Sequence, residues 1–398
     1  MTRAGLGRNV IALGAVSFLT DVSSEMIYPL LPLFLATTLG ASASIVGAIE
    51  GAAESVAALL KLASGWWSDR VARRKPLVVA GYVIASIVRP LVAAARSAGD
   101  VLAIRLVDRV GKGIRTSPRD ALIADSVDSA VRGRAYGFHR AADHAGAVFG
   151  PLVAFALMGW AGLSIRTVFW LAAIPAVASV LVLVLAVREA PRQAPPVKSM
   201  SLGSAAMGSR FWGFLVVVLL FTLGNSTDAF LLLRASQLGV PAAMLPILWA
   251  LLHVVKSGSS TPGGALSDRF GRTPLLVTGW ALYALVYFGF AQATSVWHAW
   301  ALFALYGVYF GLTEGVEKAL VADVVPAARR GAAFGWFNLT IGIGALPASL
   351  LFGVVWDRYG APTAFSLGAS LSIAAAIGIL LVRPGRSEID VADVRSHR

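Results

Sequence analysis

Residues Gly65 to Leu77 read GWWSDRVARRKPL, and residues Gly264 to Leu276 read GALSDRFGRTPLL. A second pair follows each of them: ALIADSVDSAVRGRAYG at Ala121 to Gly137 and ALVADVVPAARRGAAFG at Ala319 to Gly335. Both pairs are offset by about 198 residues, which marks a tandem duplication. The matching positions are charged residues, Gly and Pro, so shared hydrophobic bias does not account for the match. Working outward, each block is a short polar loop set between long apolar runs.

Those runs dominate the composition. Of 398 residues, 57% are hydrophobic and only 14% charged, well below the roughly 25% charge of soluble chains. A membrane-crossing helix needs about 20 apolar residues to span some 30 Å of hydrocarbon. Such spans read at approximately 9–37, 43–67, 76–95, 100–122, 135–158, 166–187, 211–236, 242–266, 274–292, 297–322, 332–355 and 362–382. The expected fold is therefore an all-α membrane protein, twelve transmembrane helices in two pseudo-symmetric six-helix bundles. Residues 1–187 form the first bundle, 188–210 a linker with three prolines and four basic residues, and 211–398 the second bundle with a short tail. With no Cys, a disulfide framework is excluded. The start of the chain reads as a retained first helix, since Asp21 and Glu25 interrupt it and no small-residue cleavage pattern follows a short apolar core.

The net charge of +13 lies on alternate loops. Even-numbered connections carry Arg70, Arg73, Arg74, Lys75, Arg132, Arg134, Arg188, Arg269, Arg272, Arg329 and Arg330, whereas the odd ones carry little beyond Arg96, Arg166 and Arg358. The positive-inside rule then puts the even loops and both termini in the cytoplasm, in an inner membrane of bacterial type. Nucleic acid is excluded as a partner, because the basic residues are scattered over short loops and no binding motif accompanies them.

Charges inside spans cost about 2.5–3.5 kcal/mol each at the bilayer centre, so they must face protein or water. The third helix of each triple is nearly free of them and can face lipid. The others enclose a polar space. Span 4 carries Arg105, Arg109 and Lys112 at spacings of four and three, continued by Arg115, one stripe down a helix. The stripe is either an ion-pair network holding helices together or the wall of a substrate cavity, and a switching transporter uses both. Arg89, Asp143 and the aromatics Tyr306, Phe310 and Trp336 are placed on the same cavity. Proton coupling needs a carboxylate set between burial and a nearby cation. Asp21, near mid-span, and Glu25, one turn further out, are the first choice, with Arg109 as the alternating cation; Asp228 and Glu314 come second. Lys318 four residues after Glu314 also makes a plain helical ion pair there. Glu50 and Glu54 read equally as functional or as solvated at the outer end of span 2.

Other patterns are set aside. GKGIRTSPRD at Gly111 to Asp120 does not meet the phosphate-loop spacing. His139, Asp143 and His144 lack the partners of a metal motif, so neither a metal nor a cofactor is expected, and no nucleophile elbow marks an enzyme.

These residues together resemble the major facilitator superfamily, over the whole chain. Gly65, Asp69, Arg70, Arg73 and Arg74 are similar to its loop signature G-x-x-x-D-R-x-x-R-R/K, with Ala72 where Gly is usual; Gly264, Asp268, Arg269, Gly271 and Arg272 are similar to the second copy. Arg109, Lys112 and Gly113 resemble the helix-4 pattern R-x-x-q-G, with Lys in the Gln position. Gly137, Gly146, Gly150 and Pro151 resemble the helix-5 pattern G-x8-G-x3-G-P-x2-G associated with antiporters, with Ala154 in place of its last Gly. The resemblance implies inverted repeats nested within six-helix halves. It further implies a conformational latch at the two loop signatures, where Asp69 meets the positive end of a helix of the other half for about 0.3–1 kcal/mol. It implies, too, a close, leak-resistant contact of helix 5 between the halves.

The function expected is secondary transport: a small organic molecule is moved by alternating access, in the export direction, in exchange for protons. The partners are a small-molecule substrate, protons and the lipid bilayer, and the chain is expected to be monomeric. One rival is import of an anionic metabolite or siderophore-like compound by proton symport, which the cations of spans 3 and 4 favour. A rival of another class is a transporter-shaped sensor that moves nothing.

Overall fold

The computed structural model describes residues 7–68, 71, 73–126, 132–189, 208–325 and 330–382. Asp69, Arg70 and most of the expected linker lie outside the described residues, and the side chains of Gly65, Gly137 and Asp268 are likewise not described. Among the described residues every regular element is helical. The helices are α1 (Arg8–Thr38), α2 (Ala43–Ser68), α3 (Lys75–Ala94), α4 (Ala98–Asp125), α5 (Arg132–Phe155) and α6 (Ile165–Ala186). Their counterparts are α7 (Ser209–Gln237), α8 (Leu245–Phe270), α9 (Arg272–Gln292), α10 (Val296–Val324), α11 (Arg330–Tyr359) and α12 (Ala361–Val382). Eleven are long and apolar enough to cross a membrane; the exception is α4, whose charges lower its hydropathy.

The ends of these helices follow from local chemistry. Ser97 and Asp100 form a capping box on α4: Asp100 N–H donates to Ser97 Oγ at 3.2 Å, and Ser97 N–H donates to the Asp100 carboxylate at 3.0 Å. Gly271, at φ +93°, makes the one-residue reversal between α8 and α9 that a side chain would oppose.

Two spans read as continuous are interrupted. α1 passes through a tight 3-10 turn at Tyr28–Leu30 and a wide π turn at Phe34–Thr38, because Pro29 and Pro32 remove backbone donors. α7 stops at Gly224 and resumes at Ala229. Gly224, Asn225, Ser226 and Thr227 are poor helix formers, and the freed groups find other partners. Tyr283 Oη donates to the Gly224 carbonyl at 3.0 Å, Thr227 N–H donates to Ser349 Oγ at 3.2 Å, and Ala229 N–H donates to Thr227 Oγ1 at 3.3 Å.

Contacts divide the chain into two compact units. The first comprises Met1–Ala41, Ala52–Val197 and Val240–His253; the second comprises Ser42–Gly51, Lys198–Gly239 and Val254–Arg398. Each is drawn mainly from one repeat and takes a short segment from the other. In the first unit, Val10, Leu13 and Val16 of α1 pack with Val78 and Tyr82 of α3, Leu122 and Ile123 of α4, and Leu183 of α6. In the second, an aromatic core joins Phe221, Trp280, Tyr283, Tyr287, Tyr306 and Tyr309. There the start of α2 is held to the end of α11: Ala43 and Ser44 N–H both donate to the Asp357 carboxylate at 2.9 Å. A Cβ on Gly353 would lie 2.6 Å from the Ala43 carbonyl oxygen, so these helices touch backbone to backbone.

The outward faces are apolar. α6 exposes Trp170, Ile174, Val177, Leu181, Val184 and Leu185, a stripe at spacings of three and four, and α12 exposes Ile373, Ile377, Leu380 and Leu381. This is a face for lipid tails, on the helices whose interiors carry no charge.

Candidate functional site

The first unit encloses a cavity of about 450 Å³ between α1, α2, α3, α4 and α5, closed by Trp249 and His253 of α8. Eight Lys or Arg and six Asp or Glu side chains line it. The volume falls within the roughly 300–1,000 Å³ of small-molecule sites, but the wall is far more charged than is usual for them.

Helical periodicity turns the α4 stripe toward the cavity, and two of its four cations, Arg105 and Arg109, are paired with carboxylates. Arg89 of α3 donates from Nη2 to Asp108 Oδ1 at 3.0 Å and from Nη1 to the Thr20 carbonyl at 3.2 Å. Arg105 lies 3.8 Å from the other oxygen of Asp108, and its guanidinium stands 5.8 Å from the Tyr28 ring centre. Arg109 meets Glu54 of α2 at 3.1 Å. All three arginines and Asp108 are less than a tenth exposed. In so dry a setting a charge without a partner is costly, and paired geometry with additional hydrogen bonds is what keeps it tolerable.

The acids of α1 line the same space. Trp249 Nε1 donates to Glu25 Oε2 at 2.7 Å. The Asp21 carboxylate has no direct partner among the described residues and stands within Coulombic reach of Asp143, Glu25, Arg115 and Lys112. Asp143 of α5 accepts from Ser17 and lies 3.6 Å from both His139 and Arg140. What sets α5 so close to these acids is its glycine pair. A Cβ on Gly146 would stand 2.6 Å from the Phe18 carbonyl oxygen and 2.8 Å from Asp21 Cβ; on Gly150, 2.7 Å from the Val22 oxygen and 2.9 Å from Glu25 Cβ. Gly146 and Gly150 therefore face Asp21 and Glu25 of α1, inside the first unit. Pro151 follows within the same helix.

The remaining expected residues lie in the second unit and do not line this cavity. Tyr306 is fully buried and its hydroxyl donates to Asp228 at 2.6 Å, so the break in α7 presents Asp228 to the tyrosine core. Phe310 packs on Tyr306 and Tyr309 and carries the Lys256 ammonium 4.2 Å above its ring centre. Trp336 packs edge-on against Trp212. Glu314 is held by Lys256 at 2.9 Å and by Lys318 at 3.5 Å. Glu50 is buried, at 2% exposure, not solvated at a helix end, and Glu54 faces the cavity.

At the loop signatures, Arg73 and Arg269 are exposed, and nothing lies within 4 Å of where a Cβ on Gly264 would stand. The duplication shows itself at Arg74 and Arg272. Arg74 donates to Ser68 Oγ and pairs with Asp125; Arg272 donates to Ser267 Oγ and lies 3.5 Å from Asp323. Sequence reasoning named Arg272 but passed over Ser68, Asp125, Ser267 and Asp323. The signal was available, since both aspartates sit in the repeated AD of ALIAD and ALVAD. It also missed Arg119, Trp249 and Glu317, the last of which accepts from Trp280 Nε1 at 3.2 Å.

Comparison with known proteins agrees with this architecture. The Major Facilitator Superfamily profile matches residues 13–256 and 236–395. An MFS-type transporter of Methanocaldococcus jannaschii, MJ1317, is 33% identical over 383 residues, 95% of each chain. The multidrug resistance protein MdtH of Klebsiella pneumoniae is 34% identical over 140 residues, 35% of each chain. Among solved structures, a POT family transporter in complex with 5-aminolevulinic acid superposes with a TM-score of 0.81 at 11% identity, covering 96% of this chain and 97% of that one. Two tandem bundles, a charged cavity and a profile match along nearly the whole length make this chain a multi-pass membrane protein that belongs to the Major Facilitator Superfamily of transporters.

Proposed function

We propose that this chain exports a small organic molecule by alternating access in exchange for protons, from an inner membrane in which the even loops and both termini face the cytoplasm. The observation that carries the reading is the juxtaposition of Asp21 and Glu25 with the α4 cations in one cavity, against the glycine pair of α5. A carboxylate in such a place trades a proton against a neighbouring cation when the cavity opens or fills, which is the elementary step of coupling. Gly146 and Gly150 support export, because the pattern that they complete resembles that of antiporters, and the partial likeness to MdtH points the same way.

The surplus of basic over acidic groups favours a second reading, in which an anionic metabolite enters together with protons. One experiment separates the two. Everted vesicles containing the chain are acidified inside, and a metabolite library is added while a fluorescent dye reports the gradient. Antiport of a library member releases the quench, symport deepens it, and Asp21→Asn abolishes either response. Substrate movement indifferent to the gradient would show that coupling is absent and leave a uniporter.

A further inference from the structure

Of the cations on the cavity wall, Lys61, Lys112 and Arg115 stand apart among the described residues, and the last two lie together on α4. Arg89 and Arg105 share Asp108, Arg109 holds Glu54, Arg119 holds Asp120, and Arg140 lies near Asp143. Arg115 and Lys112 have no carboxylate within ion-pair distance among the described residues. Arg115 is 6% exposed, and its Nε and Nη1 are sealed from the surface without a hydrogen-bond partner. Its guanidinium lies over the Tyr82 ring with Cζ 4.2 Å from the centre. That contact fixes the plane and leaves the edge, where the N–H groups point, free to meet a ligand.

A guanidinium keeps its charge throughout the physiological range, so Arg115 cannot escape its burial by losing a proton. Asp21 is the one carboxylate on the wall that has no direct partner, and it stands within reach of both Arg115 and Lys112. Eight cations face six carboxylates on this wall, which leaves positive charge over. Lys112 and Arg115 lie three residues apart on one helix face and converge on the same space. A fork of N–H donors beside an ammonium is a match for a planar or tetrahedral oxyanion.

We infer that Arg115, with Lys112, is the subsite for an oxyanion, the carboxylate or phosphate group of the transported molecule. The inference rests on the transport reading only in calling this ligand a cargo. When the anion occupies the subsite, the two cations are shared between it and Asp21, so cargo and acid compete for the same charge.

The test is binding to the purified full-length chain in detergent at one fixed pH, with no gradient, read by tryptophan fluorescence. The probes are benzoate and inorganic phosphate, with neutral benzamide and cationic benzylamine as comparisons. Saturable binding of benzoate or phosphate, with neither comparison binding, is expected; the stronger of the two tells a carboxylate cargo from a phosphorylated one. Arg115→Gln and, at the less deeply buried position, Lys112→Gln should each weaken that binding at least tenfold, Arg115→Lys should restore part of it, and the surface change Arg358→Gln should leave it unaltered. If neither anion binds saturably, if benzamide or benzylamine binds as well, or if folded Lys112→Gln binds like the parent chain, the subsite is wrong. The pH-gradient experiment can fail while this one succeeds, and the reverse, so the two claims fall separately.

Discussion

Substituting Ala for Gly146 adds one carbon where the structure has no room for it. The new Cβ would stand 2.6 Å from the Phe18 oxygen, and ordinary contact needs about 3.4 Å, so α1 and α5 must separate by roughly 0.8 Å at the level of Asp21. Overpacking of this kind costs about 1–3 kcal/mol. Ala favours the helix over Gly by about 0.5–1 kcal/mol, which offsets a part. The net loss is about 1–2 kcal/mol, or a fall of roughly 2–8 °C in unfolding midpoint at the sensitivity of domains of 150–250 residues. Gly315→Ala is the matched control, because nothing lies within 4 Å of the Cβ that it adds in α10, and its midpoint should hold or rise. Thermal unfolding of both variants in the same detergent, followed by tryptophan fluorescence, gives the comparison. Gradient-driven exchange should fall with Gly146→Ala and not with Gly315→Ala, since only the first displaces Asp21. Equal midpoints and equal exchange in the two variants would refute the claim that close approach at Gly146 sets the geometry of the acids.

Three further outcomes are expected. Asp108→Asn removes the carboxylate charge that Arg89 and Arg105 share and should destabilise by about 3–5 kcal/mol in detergent unfolding, part of which the double variant Asp108→Asn with Arg89→Met recovers. Tyr306→Phe keeps the ring in the aromatic core but removes the donor to Asp228, and should cost about 1.5–3 kcal/mol, as for other hydrogen bonds to a charged group. Arg74→Ala and Arg272→Ala break equivalent clusters with partly exposed aspartates, so each should lower stability by no more than about 1 kcal/mol and by like amounts, measured side by side.

Much of the fold was legible because a membrane imposes few solutions on an apolar chain. Span positions followed from runs of about 20 apolar residues, the duplication from the loop blocks, and the lipid-facing helices from their lack of charge. The stripe of Arg105, Arg109, Lys112 and Arg115 could be placed on one face by spacing alone. Its partners could not, because pairing depends on how each helix is rotated against its neighbours. Glu54 reaches Arg109 from another helix, and Trp249 reaches Glu25 across 224 residues of sequence. The break at Asn225–Asp228 was hidden for a related reason. A run of poor helix formers signals a weak point, but the break persists because Ser349 and Tyr283, distant in sequence, accept and supply the freed hydrogen bonds. The glycine pair was read as a close-packing face, but which helix it packs against, α1, could not be read from spacing.

The capped, charge-laden helix α4 has a consequence for how the chain is made. Each of its mid-helix Arg, Lys and Asp residues adds on the order of 2.5–3.5 kcal/mol to the cost of partitioning from the translocon, so the segment is a poor candidate for lateral release by itself. Its partners are synthesised first: Glu54 on α2 and Arg89 on α3 have left the ribosome before Arg109 and Asp108 emerge. The order of synthesis thus makes partner groups for the fourth helix before that helix emerges. Nascent chains lacking Glu54 and Arg89 would be expected to leave that segment stalled outside the bilayer and every later helix inverted.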